Sequence, residues 1–244
     1  MPQHDRLSAL MNRFTLTVRP FDDSGSQLKI LCDGADRKSV LLAPSGIASL
    51  PGGQSEVFSA RVDWGGISNP LFAGLPDFVC HAVEPASELD QLIKVLCAEH
   101  IAQRCGVASV LNRMAEIVMV KLMRALIEDG AVKTGVLAGL ADKRLSRTLV
   151  ALHEMPGKTW TNADMAHVAG LSVSRFSELF REAVGVTPSA YLRQWRFALA
   201  RQDLVRGDRV DAVARRYGYG SSEALNHMFR RMSGATPISA RLGG

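Results

Sequence analysis

Met165-Ala166-His167-Val168-Ala169-Gly170 is followed by a serine-rich turn, Phe176, Leu179-Phe180-Arg181 and Gly185-Val186-Thr187-Pro188. Later in the chain the same order returns as Val213-Ala214-Arg215-Arg216-Tyr217-Gly218, a second serine-rich turn, Leu225, Met228-Phe229-Arg230 and Gly234-Ala235-Thr236-Pro237. The offset is 48 residues before the turn and 49 after it, so the second copy carries one extra turn residue. Each copy reads as two short helices around a glycine-containing turn, the helix-turn-helix pattern.

In the first copy Thr161 is placed to cap a helix, with Asp164 three residues on, and that helix runs to Ala169 before the Gly170 turn. Ser172 caps the next helix, on which Phe176, Leu179, Phe180 and Ala183 share the inward face. Ser174, Arg175, Ser177, Glu178 and Arg181 are left facing away. Arginine donates bidentately to guanine, serine reaches several base edges and glutamate accepts from cytosine N4, so this face suits a major groove. One such face is equally a plain solvated surface, and the second copy shifts that balance. There Leu225, Met228, Phe229 and Met232 are expected inward, and Ser222, Glu223, Asn226, His227 and Arg230 outward. Asparagine is the adenine-reading side chain.

Between the copies, Thr187-Pro188 starts a helix predicted to run to about Val205. Eighteen residues of helix extend roughly 27 Å. Such a spacer can hold two recognition helices about one DNA turn apart, roughly 34 Å. Candidate phosphate contacts are Arg181, Arg193, Arg196, Arg230 and Arg231, with the helix-start amides near Thr161, Ser172 and Ser221.

Charge is divided in the same sense. The 244 residues carry a formal net charge of +5, but residues 1–141 hold 13 basic and 15 acidic side chains while 142–244 hold 16 and 9. A near-neutral part is thus joined to one of +7, the footprint of a polyanion-binding half. An apolar share of 47% and a charged share of 22% exclude a disordered chain. No stretch approaches the roughly 18 consecutive apolar residues of a membrane span. The start, MPQHDRLSAL, has no signal-peptide core, so a cytoplasmic protein with no membrane partner is expected. Cys32, Cys80, Cys97 and Cys105 show no CxxC spacing and are expected to be reduced thiols, neither zinc ligands nor disulfides.

Seven of the ten prolines precede residue 86 and three follow residue 155, which divides the chain in three. In residues 1–86, alternating runs such as Phe14–Val18 and Val57–Val62, with turn signals at Asp22-Asp23-Ser24-Gly25 and Pro51-Gly52-Gly53, predict short β-strands. Residues 87–141 predict helices. One carries Leu89, Leu92, Ile93 and Leu96; the other carries Val110, Leu111, Met114, Ile117, Val118, Lys121, Leu122 and Ala125, and Gly106 and Gly130 mark helix ends. They serve as linkers, pack on the β-rich part or form a dimer seam. Residues 142–244 are the duplicated unit. The fold class expected is α+β: a short β-rich domain with a helical extension, then an all-α domain.

Over about residues 143–241 the sequence resembles the AraC/XylS family of bacterial transcription regulators. The resemblance rests on the Ala169-Gly170 turn, Phe180-Arg181-Glu182 followed by Gly185-Val186-Thr187-Pro188-Ser189-Ala190-Tyr191-Leu192, Trp195-Arg196, and Tyr217-Gly218-Tyr219-Gly220-Ser221-Ser222 before Phe229-Arg230. It implies a seven-helix DNA-binding domain in which Ser174, Arg175, Ser177 and Glu178 form one base-reading set and Ser222, Glu223, Asn226 and His227 the other. Glu178 stands where relatives often carry a basic residue, and no aromatic follows Pro237. The amino-terminal part resembles the cupin-like sensor module that precedes some of these domains, through Asp5-Arg6-Leu7-Ser8, Val62-Asp63-Trp64-Gly65-Gly66, Asn69-Pro70-Leu71 and Gly139-Leu140-Ala141-Asp142. It is shorter than the module usually is and implies a partial barrel. His81 is the only histidine between residues 5 and 99, so the cupin metal pattern, which needs converging histidines, is missing.

The expected function is therefore sequence-specific regulation of transcription through double-stranded promoter or operator DNA, without catalysis or a cofactor. A small-molecule effector, a second copy of the chain and RNA polymerase are the further partners considered. A cupin-type metalloenzyme lacks its histidine cluster. A DNA-repair methyltransferase lacks a reactive cysteine motif. A non-specific architectural DNA binder is disfavoured because Lys143 and Lys158 are the only lysines of the basic part.

Overall fold

The computed structural model describes residues 7–13, 16–20, 25–46, 50, 52–64, 69, 72 and 75–242. Several sequence signals lie outside these: Asp5 and Arg6, Phe14 and Thr15, Asp22 to Ser24, Pro51, Gly65 and Gly66, and Pro70 and Leu71. The chain divides into two compact units, one of residues 14–67 and 71–133, the other of 134–244 with 1–13 and 68–70.

The first unit is built on five antiparallel strands: β1 (Thr17–Pro20), β2 (Leu28–Asp33), β3 (Lys38–Leu42), β4 (Gln54–Asp63) and β5 (Val79–Ala82). Their order across the sheet is β1-β4-β2-β3-β5. Alternation sets its faces. Val18 pairs with Val62, Leu28 with Ala60 and Leu42, and Ile30 with Phe58 and Val40, and all of them are buried. The opposite face is mixed, with Leu31 and Leu41 beside buried Lys29, Ser39 and Ser59, and Lys29 Nζ lies 2.6 Å from Glu56 Oε2. An irregularity between Ile30 and Leu31 shifts the β2–β4 register. At the β2–β3 turn Asp33 Oδ1 accepts from the amides of Ala35 and Arg37 at 2.9 and 3.0 Å, which holds its carboxyl below the usual carboxylate range.

Among the described residues, two long helices complete this unit. Helix α2 (Glu88–Ala102) starts at Ser87, whose hydroxyl accepts from the Asp90 amide, and Phe58 meets the His100 ring edge-on at 5.4 Å. Helix α3 (Val107–Glu128) buries Leu111, Ala115, Val118, Met119, Leu122, Met123 and Leu126. This corrects the expected stripe, because Val110 and Ile117 are 41% and 47% exposed. A helix apolar on most sides has no unique stripe in its sequence, and packing selects a face containing the small Ala115. Gly106 is likewise corrected: it begins α3 at φ 83°, while the preceding helix closes on Gln103 in the left-handed region. Gly130 lies just past the end of α3, as expected.

In the second unit, α1 (Ser8–Arg13) and α4 (Val136–Ala141) join seven further helices: α5 (Leu145–Glu154), α6 (Asn162–Ala169), α7 (Val173–Val184), α8 (Pro188–Val205), α9 (Val210–Arg216), α10 (Ser222–Ser233) and α11 (Pro237–Leu242). The repeat is visible element by element. Both α7 and α10 have 12 residues, both begin at a serine cap and both end at a left-handed glycine, Gly185 and Gly234. The expected start and end of α8 are reproduced, with Pro188 in its first turn. The core between the copies is aromatic: Phe176, Phe180, Tyr191 and Trp195 are buried, and Phe197 meets Phe229 at 4.9 Å. Gly139 is a close-packing position, since a Cβ there would lie 2.8 Å from side-chain carbons of both Leu149 and Val184.

Candidate nucleic-acid interface

Local capping fixes how each recognition helix begins. Thr161 and Asp164 close a reciprocal capping box, the Thr161 hydroxyl accepting from the Asp164 amide at 3.1 Å and Asp164 Oδ2 accepting from the Thr161 amide at 2.9 Å. The Thr161 hydroxyl, which donates to Asp164 Oδ2 at 2.7 Å, and the Thr161 amide keep the Asp164 carboxyl below the usual range. Helix α6 ends at Gly170 in the left-handed region, and the chain enters α7 at Ser172, whose Oγ accepts from the Arg175 amide. In the second copy Ser221 Oγ accepts from the Ala224 amide at 3.2 Å, and the Ser221 side chain also lowers the pKa of Glu223.

The buried residues of α7 are Phe176, Phe180 and Val184, with Leu179 and Ala183 partly covered. Ser174, Arg175 and Glu178 are exposed, and Arg175 Nη1 lies 2.6 Å from Glu178 Oε2. Ser177 is half-buried and its hydroxyl donates to the Val173 carbonyl at 2.8 Å. On α10, Leu225, Met228 and Phe229 are buried, Glu223 and His227 are exposed, and Ser222 and Asn226 are half-buried. Met232 was expected inward but is 38% exposed; the inward contacts of α10 end at Phe229.

Two sets of arginines in this unit differ in their partners. Arg206, Arg209, Arg215 and Arg216 pair with Asp203, Asp208 or Asp211 around the end of α8 and the start of α9. Arg181, Arg193, Arg230 and Arg231 are exposed, and no carboxylate among the described residues pairs with them. Unpaired positive charge is therefore present on α7, α8 and α10, as it also is at exposed Lys143 and Arg147. Arg196 is turned inward: its Nε donates to the Pro156 carbonyl at 2.7 Å and its Nη2 to the Lys158 carbonyl at 2.8 Å. Burial lowers the pKa of its guanidinium. Its amino-acid type suggested a phosphate contact, and only the fold reveals these internal acceptors about forty residues away in sequence.

Beneath this surface lies a histidine that the sequence did not single out. His153 Nε2 is 2.6 Å from Tyr191 Oη and its ring is 4.4 Å from that of Trp195. Complete burial pushes its pKa down to about 3, so it is neutral at physiological pH. Among the described residues no group of three His, Cys, Asp or Glu side chains is placed to hold a metal ion. No helix among them is long and apolar enough to cross a membrane.

An antiparallel sheet with two helices, joined in one chain to a helical unit containing a duplicated helix-turn-helix, defines a two-domain helix-turn-helix protein. Comparison with known proteins makes this more particular. A family model described as a helix-turn-helix domain matches residues 165–242, and one described as cupin matches residues 23–128. A putative AraC-like transcription regulator of Streptomyces lividans is 38% identical over 128 residues, covering 52% of this chain and 42% of that protein. One from Streptomyces antibioticus is 35% identical over 130 residues, covering 52% and 43%. The chain thus spans less than half the length of these relatives. A crystal structure of the DNA-binding domain of AdpA in complex with a target DNA is 29% identical, covering 41% of this chain and 92% of that one with a TM-score of 0.40. The chain thus holds a helix-turn-helix domain over residues 165–242 and a cupin domain over residues 23–128, and over about half its length it is similar to AraC-like transcription regulators.

Proposed function

We propose that the protein is a sequence-specific regulator of transcription that binds double-stranded promoter or operator DNA with its second unit. The observation that carries this is the pair of serine-capped recognition helices, α7 and α10, whose polar outward faces are flanked by four unpaired arginines. Ser174, Arg175 and Glu178 of the first helix, and Ser222, Glu223, Asn226 and His227 of the second, present hydrogen-bonding groups to base edges. Ser177, with its hydroxyl returned to Val173, contributes through shape and through its remaining lone pair. Arg181, Arg193, Arg230 and Arg231, with the first-turn amides of α6, α7 and α10 behind Thr161, Ser172 and Ser221, hold the phosphates.

The cupin unit is then the regulatory part, controlled by a small molecule or by pairing with a second copy. The mixed face of its sheet, with Lys29, Glu56, Ser39 and Ser59, supplies polar groups that suit a polar effector. Action on RNA polymerase and residence in the cytoplasm follow from the same role. Genome-wide mapping of the sites bound by the full chain tests it. Discrete sites upstream of a defined set of genes, with changed transcription when the chain is deleted, are expected; uniform occupancy would overturn it.

A further inference from the structure

The loop between α5 and α6, residues 155–160, meets both α8 and the turn of the second copy. Arg196 of α8 grips it through the carbonyls of Pro156 and Lys158, and the Arg196 guanidinium carbon lies 6.0 Å from the centre of the Tyr219 ring. Trp160 Nε1 donates to the Met155 carbonyl at 3.0 Å, closing the loop on itself. At the middle of the joint two backbones touch. A Cβ on Gly157 would lie 2.2 Å from the Arg216 carbonyl oxygen, and one on Gly218 would lie 2.5 Å from the Gly157 carbonyl oxygen. Gly218 is also at φ 74°, but Gly157 has no positive φ, so clearance alone explains it. On the far side Asp203 of α8 accepts from Tyr217 Oη at 2.6 Å and pairs with Arg216.

The loop preceding the first copy, the connecting helix and the turn of the second copy therefore meet at one point. Helix α8 alone leaves rotation at either end of a rod; this third contact removes it. We propose that the joint, with Arg196 as its positioning residue, fixes the separation and rotation of α7 and α10 and so sets which half-site spacing in DNA the protein accepts. The proposal rests on the DNA-binding role above, and the loop adds to it a means of measuring distance along the duplex. Base-reading side chains choose the letters of each half-site; the joint chooses the interval.

Two measurements on the full chain test this. The first needs no DNA. Spin labels at exposed E182C on α7 and M232C on α10, with Cys32, Cys80, Cys97 and Cys105 replaced by Ser, report the interhelix distance distribution. A single narrow distribution is expected, broadened in G157A and in R196K, which keeps the positive charge but cannot bridge two carbonyls in the same way. Equal widths in all three would overturn the proposal. The second uses duplexes carrying the two half-sites recovered by selection from random DNA, with one or two base pairs added or removed between them. The unmodified protein is expected to lose ~10-fold or more in affinity on a one-base-pair change, since each added pair both displaces and rotates a half-site. G157A and R196K reduce that discrimination to about threefold or less, within the tolerance of a mobile joint. Retained discrimination in both variants contradicts the proposal. Absence of any selected sequence instead contradicts the DNA-binding role and leaves the distance measurement to decide the joint.

Discussion

Arg175 and Glu178 stand one turn apart on the exposed face of α7, with Nη1 2.6 Å from Oε2. Both side chains are more than half exposed, so the pair is worth little to stability and is free to part when a base edge arrives. Its effect is on direction: the carboxylate holds the guanidinium along the helix face. Arg175→Ala is expected to cost roughly 1–3 kcal/mol at the preferred sequence and to relax one position. Glu178→Gln should do the reverse in affinity, raising binding to all DNA while lowering discrimination, because a negative charge near phosphates is removed. Binding profiles of both variants over a randomised duplex library separate these effects.

Arg181, Arg193, Arg230 and Arg231 should behave differently from Arg175. Each single change to Ala is expected to weaken binding to every sequence similarly and to reduce the salt slope, log affinity against log salt, by about 1. Arg215→Ala, which removes a charge already paired with Asp211, serves as the control with a smaller change in slope. Titrations at several salt concentrations provide the readout.

His153 supplies a pH dependence. Its folded pKa of about 3 lies below its ordinary value of 6.5, so the unfolded chain takes up the proton first as pH falls. Stability through this site is complete above pH 6.5 and declines below it, by about 2 kcal/mol between pH 7 and pH 5. Urea unfolding at the two pH values should register that loss, and His153→Gln should abolish this part of it while lowering stability at pH 7.

Asp203 anchors α9 to α8 by accepting from Tyr217 and pairing with Arg216. Asp203→Ala removes the acceptor that the buried Tyr217 hydroxyl donates to, a loss of about 1–3 kcal/mol. Asp208 keeps Arg216 paired at 2.6 Å, so the damage should localise to the Tyr217 side. Hydrogen exchange should show α9 and α10 opening more readily than α6 and α7.

What the sequence conveyed follows the range of the interactions involved. Caps at Thr161, Ser172 and Ser221, the Gly170 turn and the Pro188 start depend on neighbours within four residues, and all appear where the sequence puts them. The inward face of α7 was legible for the same reason, because a strongly amphipathic helix allows one orientation. Helix α3 carries no such asymmetry, and its buried face was settled only by the sheet and α2. Met232 continued the spacing of α10 past the point where its packing partners end. Arg196 and Gly157 were opaque for another reason. Their partners lie about forty and sixty residues away, and Gly207, in the corresponding loop before α9, makes no such close approach that could have drawn attention to Gly157.

Two helix-turn-helix copies in one chain are proposed to read DNA together. Repeated selection of the full chain against random duplexes at near-physiological salt tests it most directly. The expected result is a bipartite motif whose halves are centred about 10–10.5 base pairs apart, one half altered by Arg175→Ala and the other by Asn226→Ala. Contradiction would come from a library that stays unenriched, or from a single motif insensitive to both substitutions.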